Sequence, residues 1–309
     1  MRSRGRYAGV ARAVAGVLAL VIVASCGSGG NKNSSGSNEG YAAVTFDGQQ
    51  YVAVGKRGLI STSHDAKNFN GQNSGIDADL ALSLNAVAFG AGRYVVGGDQ
   101  GLVLTSTDAV TWTQEASPTT SSWQDGIFAD GLFVLVGFGG TIATSPNGLT
   151  FTVRDSGVTA ALFDIAFANG TFVAVGDRGT IITSHDAITW MSVDSGVADV
   201  LRGVTFGGGR WVAVGGVGLV VTSPDTTTWS FTGFSIEPFN AVAFGNGLYV
   251  FLGSAGFIVT SPDAVTFTQQ KSPTQAVLTD AIFDGGQFVG VGTNKVVIRS
   301  ADGVTWTRS

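Results

Sequence analysis

The chain has 309 residues, of which 44% are apolar and only 13% charged, with 46 glycines and a formal net charge of −5. That composition suits many short buried strands joined by tight turns, and it excludes a chain disordered along its length. Four of the 17 basic residues (Arg2, Arg4, Arg6 and Arg12) lie in the first 25, where there are no acids, leaving 13 basic against 22 acidic residues. A balance near −9 for the remainder excludes nucleic acid and an anionic lipid surface as main partners.

The chain opens on an arginine-rich start and an apolar run from Ala13 to Ala24, too short to span a bilayer and matched to the hydrophobic region of an export signal. The run ends in Val23-Ala24-Ser25-Cys26. This resembles the lipobox of bacterial lipoproteins, with Val where the family prefers Leu. The resemblance implies a signal peptide over 1–25, lipidation of Cys26 and a chain exported and held at the bacterial cell membrane by its lipid alone. Cys26 is the only cysteine, so no internal disulfide can form and the exported domain depends on burial. Residues 26–40, rich in Gly, Ser and Asn, read as a flexible tether.

From residue 41 onward one phrase recurs, Ser-x-Asp-x-x-Thr-aromatic, starting at Ser63, Ser106, Ser145, Ser184, Ser223, Ser261 and Ser300. The intervals are 43, 39, 39, 39, 38 and 39 residues, the signature of a repeat architecture. Within one unit, residues 162–196, Phe163–Phe167 reads as a first strand and Ala168-Asn169-Gly170 as a hairpin turn. Phe172–Gly176 reads as a second strand, Thr180–Thr183 as a third, and the Ser-x-Asp phrase turns into a fourth near Trp190. The second strand is apolar on both faces, so both must be covered, and radial packing of one four-stranded sheet on the next does this. The expected fold is all-β: a single seven-bladed β-propeller of four-stranded antiparallel blades over 41–309. The blades run 41–75, 84–117, 123–157, 162–196, 201–235, 239–273 and 278–309, and the ring closes without an exchanged strand.

The phrase resembles the Asp-box of bacterial-neuraminidase-type (BNR) repeats, and the surrounding Val-Ala-Val-Gly-x-x-Gly-x-Ile resembles the repeats of Ycf48-like photosystem II assembly factors. Physically, an Asp two residues after Ser accepts backbone N–H groups and holds a turn, so Asp65, Asp108, Asp186, Asp225, Asp263 and Asp302, with Asn147 as a substitute, read as structural. His64 and His185 occupy the variable position of two such turns in blades 1 and 4. They suggest no metal site, and nothing suggests a cofactor.

Function is expected where the copies differ. The hairpins after the first strands and the Ser-x-Asp turns share one uniform face. The opposite face carries Lys56-Arg57, Asp99-Gln100, Phe138, Asp177-Arg178, Val217, Ser254-Ala255 and Asn294-Lys295, with one insertion near residues 76–80. Aligned first strands place Ala43, Ala86, Asp125, Asp164, Gly203, Ala241 and Asp280 in one ring, preceded by Ala42, Asn85, Gln124, Phe163, Arg202, Asn240 and Thr279. The candidate ligand face is therefore Asp125, Asp164, Asp280, Arg202, Asn85, Asn240, Arg57 and Arg178.

A sialidase-like reading would require, by resemblance, an arginine cluster, a Tyr activated by a Glu and an acidic donor. No Arg-Ile-Pro motif precedes the first blade, Glu is confined to Glu39, Glu115 and Glu237, and Tyr51, Tyr94 and Tyr249 begin second strands on the uniform face. An Asp-based glycoside hydrolase or a carbohydrate-binding propeller is the alternative, with Asp125, Asp164 or Asp280 supplying two carboxylates flanking a sugar. The favoured expectation is a non-enzymatic, monomeric envelope lipoprotein that acts as a binding or assembly scaffold for a protein partner rather than a glycan.

Overall fold

The apolar second strands set the architecture. In Thr171–Gly176 every residue is buried, and Tyr51–Gly55 is buried throughout in the same way. Strands covered on both sides can lie only between two neighbouring sheets. The computed structural model describes residues 39–233 and 237–309, and in it seven four-stranded antiparallel sheets run 41–72, 84–114, 123–154, 162–193, 201–231, 239–269 and 278–308, numbered here as blades 1 to 7. The expected signal peptide, Cys26 and most of the tether lie outside the described residues.

Every blade has its strands in chain order, so each is a simple meander. First strands touch first strands around a closed circuit, with blade 1 against blade 7. Between blades lie mixed apolar clusters. One joins Val134, Val136 and Ile142 of blade 3 to Leu162, Ile165 and Phe172 of blade 4. Another joins Val289, Val291 and Val297 of blade 7 to Tyr41, Val44 and Tyr51 of blade 1. The ring closes without an exchanged strand, as the sequence suggests. Closure is reinforced by a bridge between Gly40 and Thr293 and by Ser309 Oγ donating to Ala66 O at 2.7 Å.

The Ser-x-Asp turns do the work that their composition implies. In blade 4, Ser184 Oγ donates to Asp186 Oδ1 at 3.0 Å, and the same oxygen accepts from Ile188 N and Thr189 N, each at 2.8 Å. Trp190 then folds back beneath the turn, its Nε1 donating to Ala187 O at 3.2 Å. The same oxygen of Asp65, Asp108, Asp225, Asp263 and Asp302, and the amide oxygen of Asn147, accepts the equivalent pair of N–H groups in the other blades. His64 and His185 each direct Nδ1 at a hairpin carbonyl of their own blade, Gln49 O and Gly170 O, which ties the two turns of the uniform face together.

On the opposite face, the turn from second to third strand is a short 3-10 element in five blades, such as Asp177–Gly179 in blade 4. Arg178 there has φ 55 and Gly179 φ 69. A Cβ at Gly179 would lie 2.0 Å from Val197 O, so glycine is required both by the left-handed backbone and by the close approach of the chain leading to the next blade. The insertion near residues 76–80 forms a further short 3-10 element, Ala78–Leu80, packed beside the Lys56–Gly58 turn, and leaves Leu80 exposed.

Candidate functional site: the channel mouth and the turn face

The first strand of each blade contains a β-bulge at its entry. In blade 4 the pairing steps from Leu162–Gly176 to Asp164–Val175 and leaves Phe163 unpaired, and the other six blades skip Ala42, Asn85, Gln124, Arg202, Asn240 and Thr279 in the same way. The second ring of the sequence alignment is therefore a ring of bulged residues. A bulge re-aims its side chain, and here it also turns the following residue into the channel. That channel, about 460 Å³ in volume, is lined by first strands from all seven blades.

Asp125, Asp164 and Asp280 converge in it as expected, but each one reaches across a seam between blades. Asp280 Oδ2 accepts from Val44 N of blade 1 at 2.8 Å, and Asp164 Oδ2 accepts from Val204 N of blade 5 at 2.6 Å. Asp125 Oδ2 accepts from Ile165 N of blade 4 at 3.1 Å, while Asp164 Oδ1 lies 2.9 Å from that same nitrogen. Burial among protein atoms pushes Asp280 up to about 7, with the negative charge of Asp125 adding to the shift. Burial likewise holds Asp164 well above the carboxylate range, reinforced by the charge of Asp125 and a hydrogen bond with it. All three are half-buried in the channel wall.

The bulged residues of the candidate face divide into two kinds. Asn85 Nδ2 donates to Trp123 O of blade 3 at 3.0 Å and to Asp99 Oδ1 at 3.1 Å. Asn240 Nδ2 donates to Leu278 O of blade 7 at 2.9 Å, and Thr279 Oγ1 donates to Tyr41 O of blade 1 at 2.9 Å. These three span seams with a side-chain hydrogen bond. Phe163 and Arg202 do something else. Phe163 meets Phe138 of blade 3 edge-on at 6.3 Å, and the Arg202 guanidinium lies over the Phe163 ring, 5.9 Å from its centroid. Phe138 is 46% exposed and Arg202 is exposed, so a row of two aromatic rings and a cation crosses blades 3, 4 and 5 beside the channel mouth.

Arg57 and Arg178 sit at the left-handed positions of their turns in blades 1 and 4, and are not drawn into the acid cluster. Arg178 pairs loosely with Asp177 at 3.9 Å and stays 87% exposed. No group of three or more His, Cys, Asp or Glu among the described residues has the arrangement of a metal site. The sequence places Phe138, Phe163 and Arg202 on the variable face one by one, but neither their row nor the bulges have a local signature in it. An aromatic residue at the bulge position, where the six other copies have Ala42, Asn85, Gln124, Arg202, Asn240 and Thr279, is the one signal that singles out Phe163.

No family model matches the sequence, and no curated protein matches it. Solved structures do. YCF48 bound to D1 peptide superposes with a TM-score of 0.73 at 16% identity, covering 87% of this chain and 92% of that one. YCF48 from Cyanidioschyzon merolae gives 0.68 at 15% identity, covering 85% and 95%. The WD40 β-propeller domain of Doa1 also gives 0.68, at 13% identity, covering 87% and 96%. The shared feature at these identities is the propeller fold.

Proposed function

We propose that this chain is a non-enzymatic binding or assembly scaffold that presents its turn face to a protein partner, with the Phe138–Phe163–Arg202 row at the centre of the contact. The observation that carries this reading is the division of labour at the channel mouth. The carboxylates that a hydrolase would need are engaged with backbone amides across seams, and Asp125 and Asp164 are close enough to hydrogen-bond each other. Glycoside hydrolysis needs two carboxyl groups roughly 5–10 Å apart with a sugar between them. Phe138 and Arg202, by contrast, are exposed on either side of the half-buried Phe163, and aromatic and arginine side chains are the ones that dominate protein contacts. That a structural neighbour is YCF48 bound to D1 peptide supports a peptide or protein as partner.

The same proposal takes the chain to be exported, held at the cell envelope through lipid on Cys26, and monomeric. A Cys26→Ala variant is expected to leave the membrane fraction for the soluble exported one. Retention in the membrane would defeat the anchor. For the scaffold, in-cell photo-crosslinking from position 138 is compared with crosslinking from Val304 on the uniform face. One discrete protein adduct from 138, lost with Arg202→Glu and absent from 304, is expected. Glycan hydrolysis by the wild-type chain that vanishes in the Asp125→Asn, Asp164→Asn, Asp280→Asn triple variant would instead establish the enzyme.

A further inference from the structure

One backbone amide in the channel has two carboxylates aimed at it. Ile165 N lies 3.1 Å from Asp125 Oδ2, which belongs to blade 3, and 2.9 Å from Asp164 Oδ1, which belongs to blade 4. The amide carries one hydrogen, and it cannot neutralise two negative charges directed at it from neighbouring strands. The surroundings offer no cation to do so. Blade 5 contributes Arg202, which is exposed, with its guanidinium over the face of Phe163. Blade 7 contributes Asp280 and, further along the same strand, Asp284, two more acids and no cation. Blades 1, 2 and 6 line the channel with uncharged groups, among them Thr45, Asn85 and Asn240. With two carboxyl groups in contact in a confined space, like charges disfavour double ionisation, and a proton held between them supplies the missing positive charge.

We propose that Asp125 and Asp164 hold one proton between their carboxyl groups and thereby lock blade 3 to blade 4, a seam that loosens when the proton is lost to water. In the locked form one carboxyl is the acid and donates its O–H to the other, a carboxylate, while Ile165 N–H donates to the pair. Because Asp164 Oδ2 also accepts from Val204 N, the unit extends across the next seam and ties three consecutive blades beneath Phe163 and Arg202. Burial and the charge of Asp125 favour the protonated form of Asp164, in agreement with this geometry. Such a pair titrates as a unit, so its proton belongs to the seam and not to either residue. This proposal concerns the ring itself and stands or falls independently of any partner on the turn face.

The test compares the full chain with Asp125→Asn and Asp164→Asn, each also in an Asp280→Asn background that removes the third channel acid. Thermal unfolding is followed at about pH 5, 7 and 9. An Asn at 125 accepts from Ile165 N through its oxygen and donates its NH₂ to Asp164, so it mimics a permanently held proton. The expected result is that Tm of the Asp280→Asn protein falls by roughly 2–4 °C or more as the pH rises, whereas Asp125→Asn in that background removes most of the fall. Parallel Tm profiles with and without Asp125→Asn would overturn the proposal. Carboxyl ¹³C resonances of the wild-type chain provide a second readout should a variant fail to fold. The Asp164 carboxyl is expected to titrate well above the ordinary carboxylate value; a titration near about 4 would also overturn the proposal.

Discussion

At the scale of single residues, two groups of aspartates, those of the Ser-x-Asp turns and those in the channel, respond to pH in opposite senses. The backbone N–H groups of Thr189 and Ile188 hold Asp186 down at about 2, and Asp108, Asp225, Asp263 and Asp302 lie at about 2 for the same reason, with Asp65 lower still. A carboxylate whose folded value lies below its unfolded one contributes stability that is present above about pH 4 and is lost as the pH falls toward 2. Asp280 is raised to about 7, so its contribution runs the other way: it is fully present below about pH 4 and is lost as the pH rises to about 7. The folded chain is therefore expected to be most stable on the acidic side of neutrality, checked by the unfolding midpoint in urea between about pH 3 and 8. Asp280→Asn keeps an oxygen for Val44 N and removes that one titration, so it should make the upper limb shallower, the remaining fall belonging to Asp164, while leaving the lower one in place. At the turns, Asp186→Asn should cost less than Asp186→Ala, because Asn147 already serves the same two N–H groups in blade 3.

Individual elements show which parts of the fold could be read from sequence. The strand order and the Ser-x-Asp turns were legible because their determinants are local: an Asn-Gly hairpin, or an Asp whose N–H partners lie two and three residues ahead. The bulges were not legible. Leu162-Phe163-Asp164-Ile165 reads as uninterrupted strand, and only the partner strand reveals that Phe163 is skipped. The roles of Asp125 and Asp164 were hidden for the same reason, since each accepts from an N–H that lies 40 residues further along the chain. Their convergence in the channel was anticipated, but their engagement with the next blade was not. The ends of the first strands show a tighter constraint. A Cβ at Gly245 would lie 2.0 Å from Phe283 Cγ of the next blade, and Gly90 and Gly207 face Phe128 and Phe244 in the same way. Blades 3 and 4 carry Ala129 and Ala168 at the equivalent position, packed near Phe167 and Phe206, so the ring can be displaced to admit a methyl group. Gly245→Ala is thus expected to destabilise by about 1–3 kcal/mol through overpacking. Adding Phe283→Leu should recover part of that loss, as a non-additive double-mutant cycle in chemical denaturation.

At the scale of the whole molecule, the decisive property is that the array closes. In an open array each unit touches only its neighbours, and the end units can fray or melt alone. Here blade 7 packs on blade 1 through Tyr41, Val44, Val289 and Val291, and the seam is crossed again by Asp280, Thr279 and the bridge at Gly40. Losing blade 7 would expose apolar faces on blades 6 and 1 together, so no blade has a cheap route to unfolding by itself. Trp190 and Trp306 test this, because they occupy the same position in an internal and a terminal blade and are buried to the same degree. Each packs in a tilted arrangement against the second-strand Phe of its own blade at 6.3 Å and donates Nε1 to the turn above. Trp→Ala at a buried site costs about 3–5 kcal/mol. If the ring unfolds as one unit, both variants should shift a single calorimetric transition by similar amounts, and hydrogen exchange should rise in all seven second strands together. A Trp306→Ala chain that shows a separate early transition, with exchange confined to residues 278–308, would mean that the contacts between blades 7 and 1 do not make the ring cooperative.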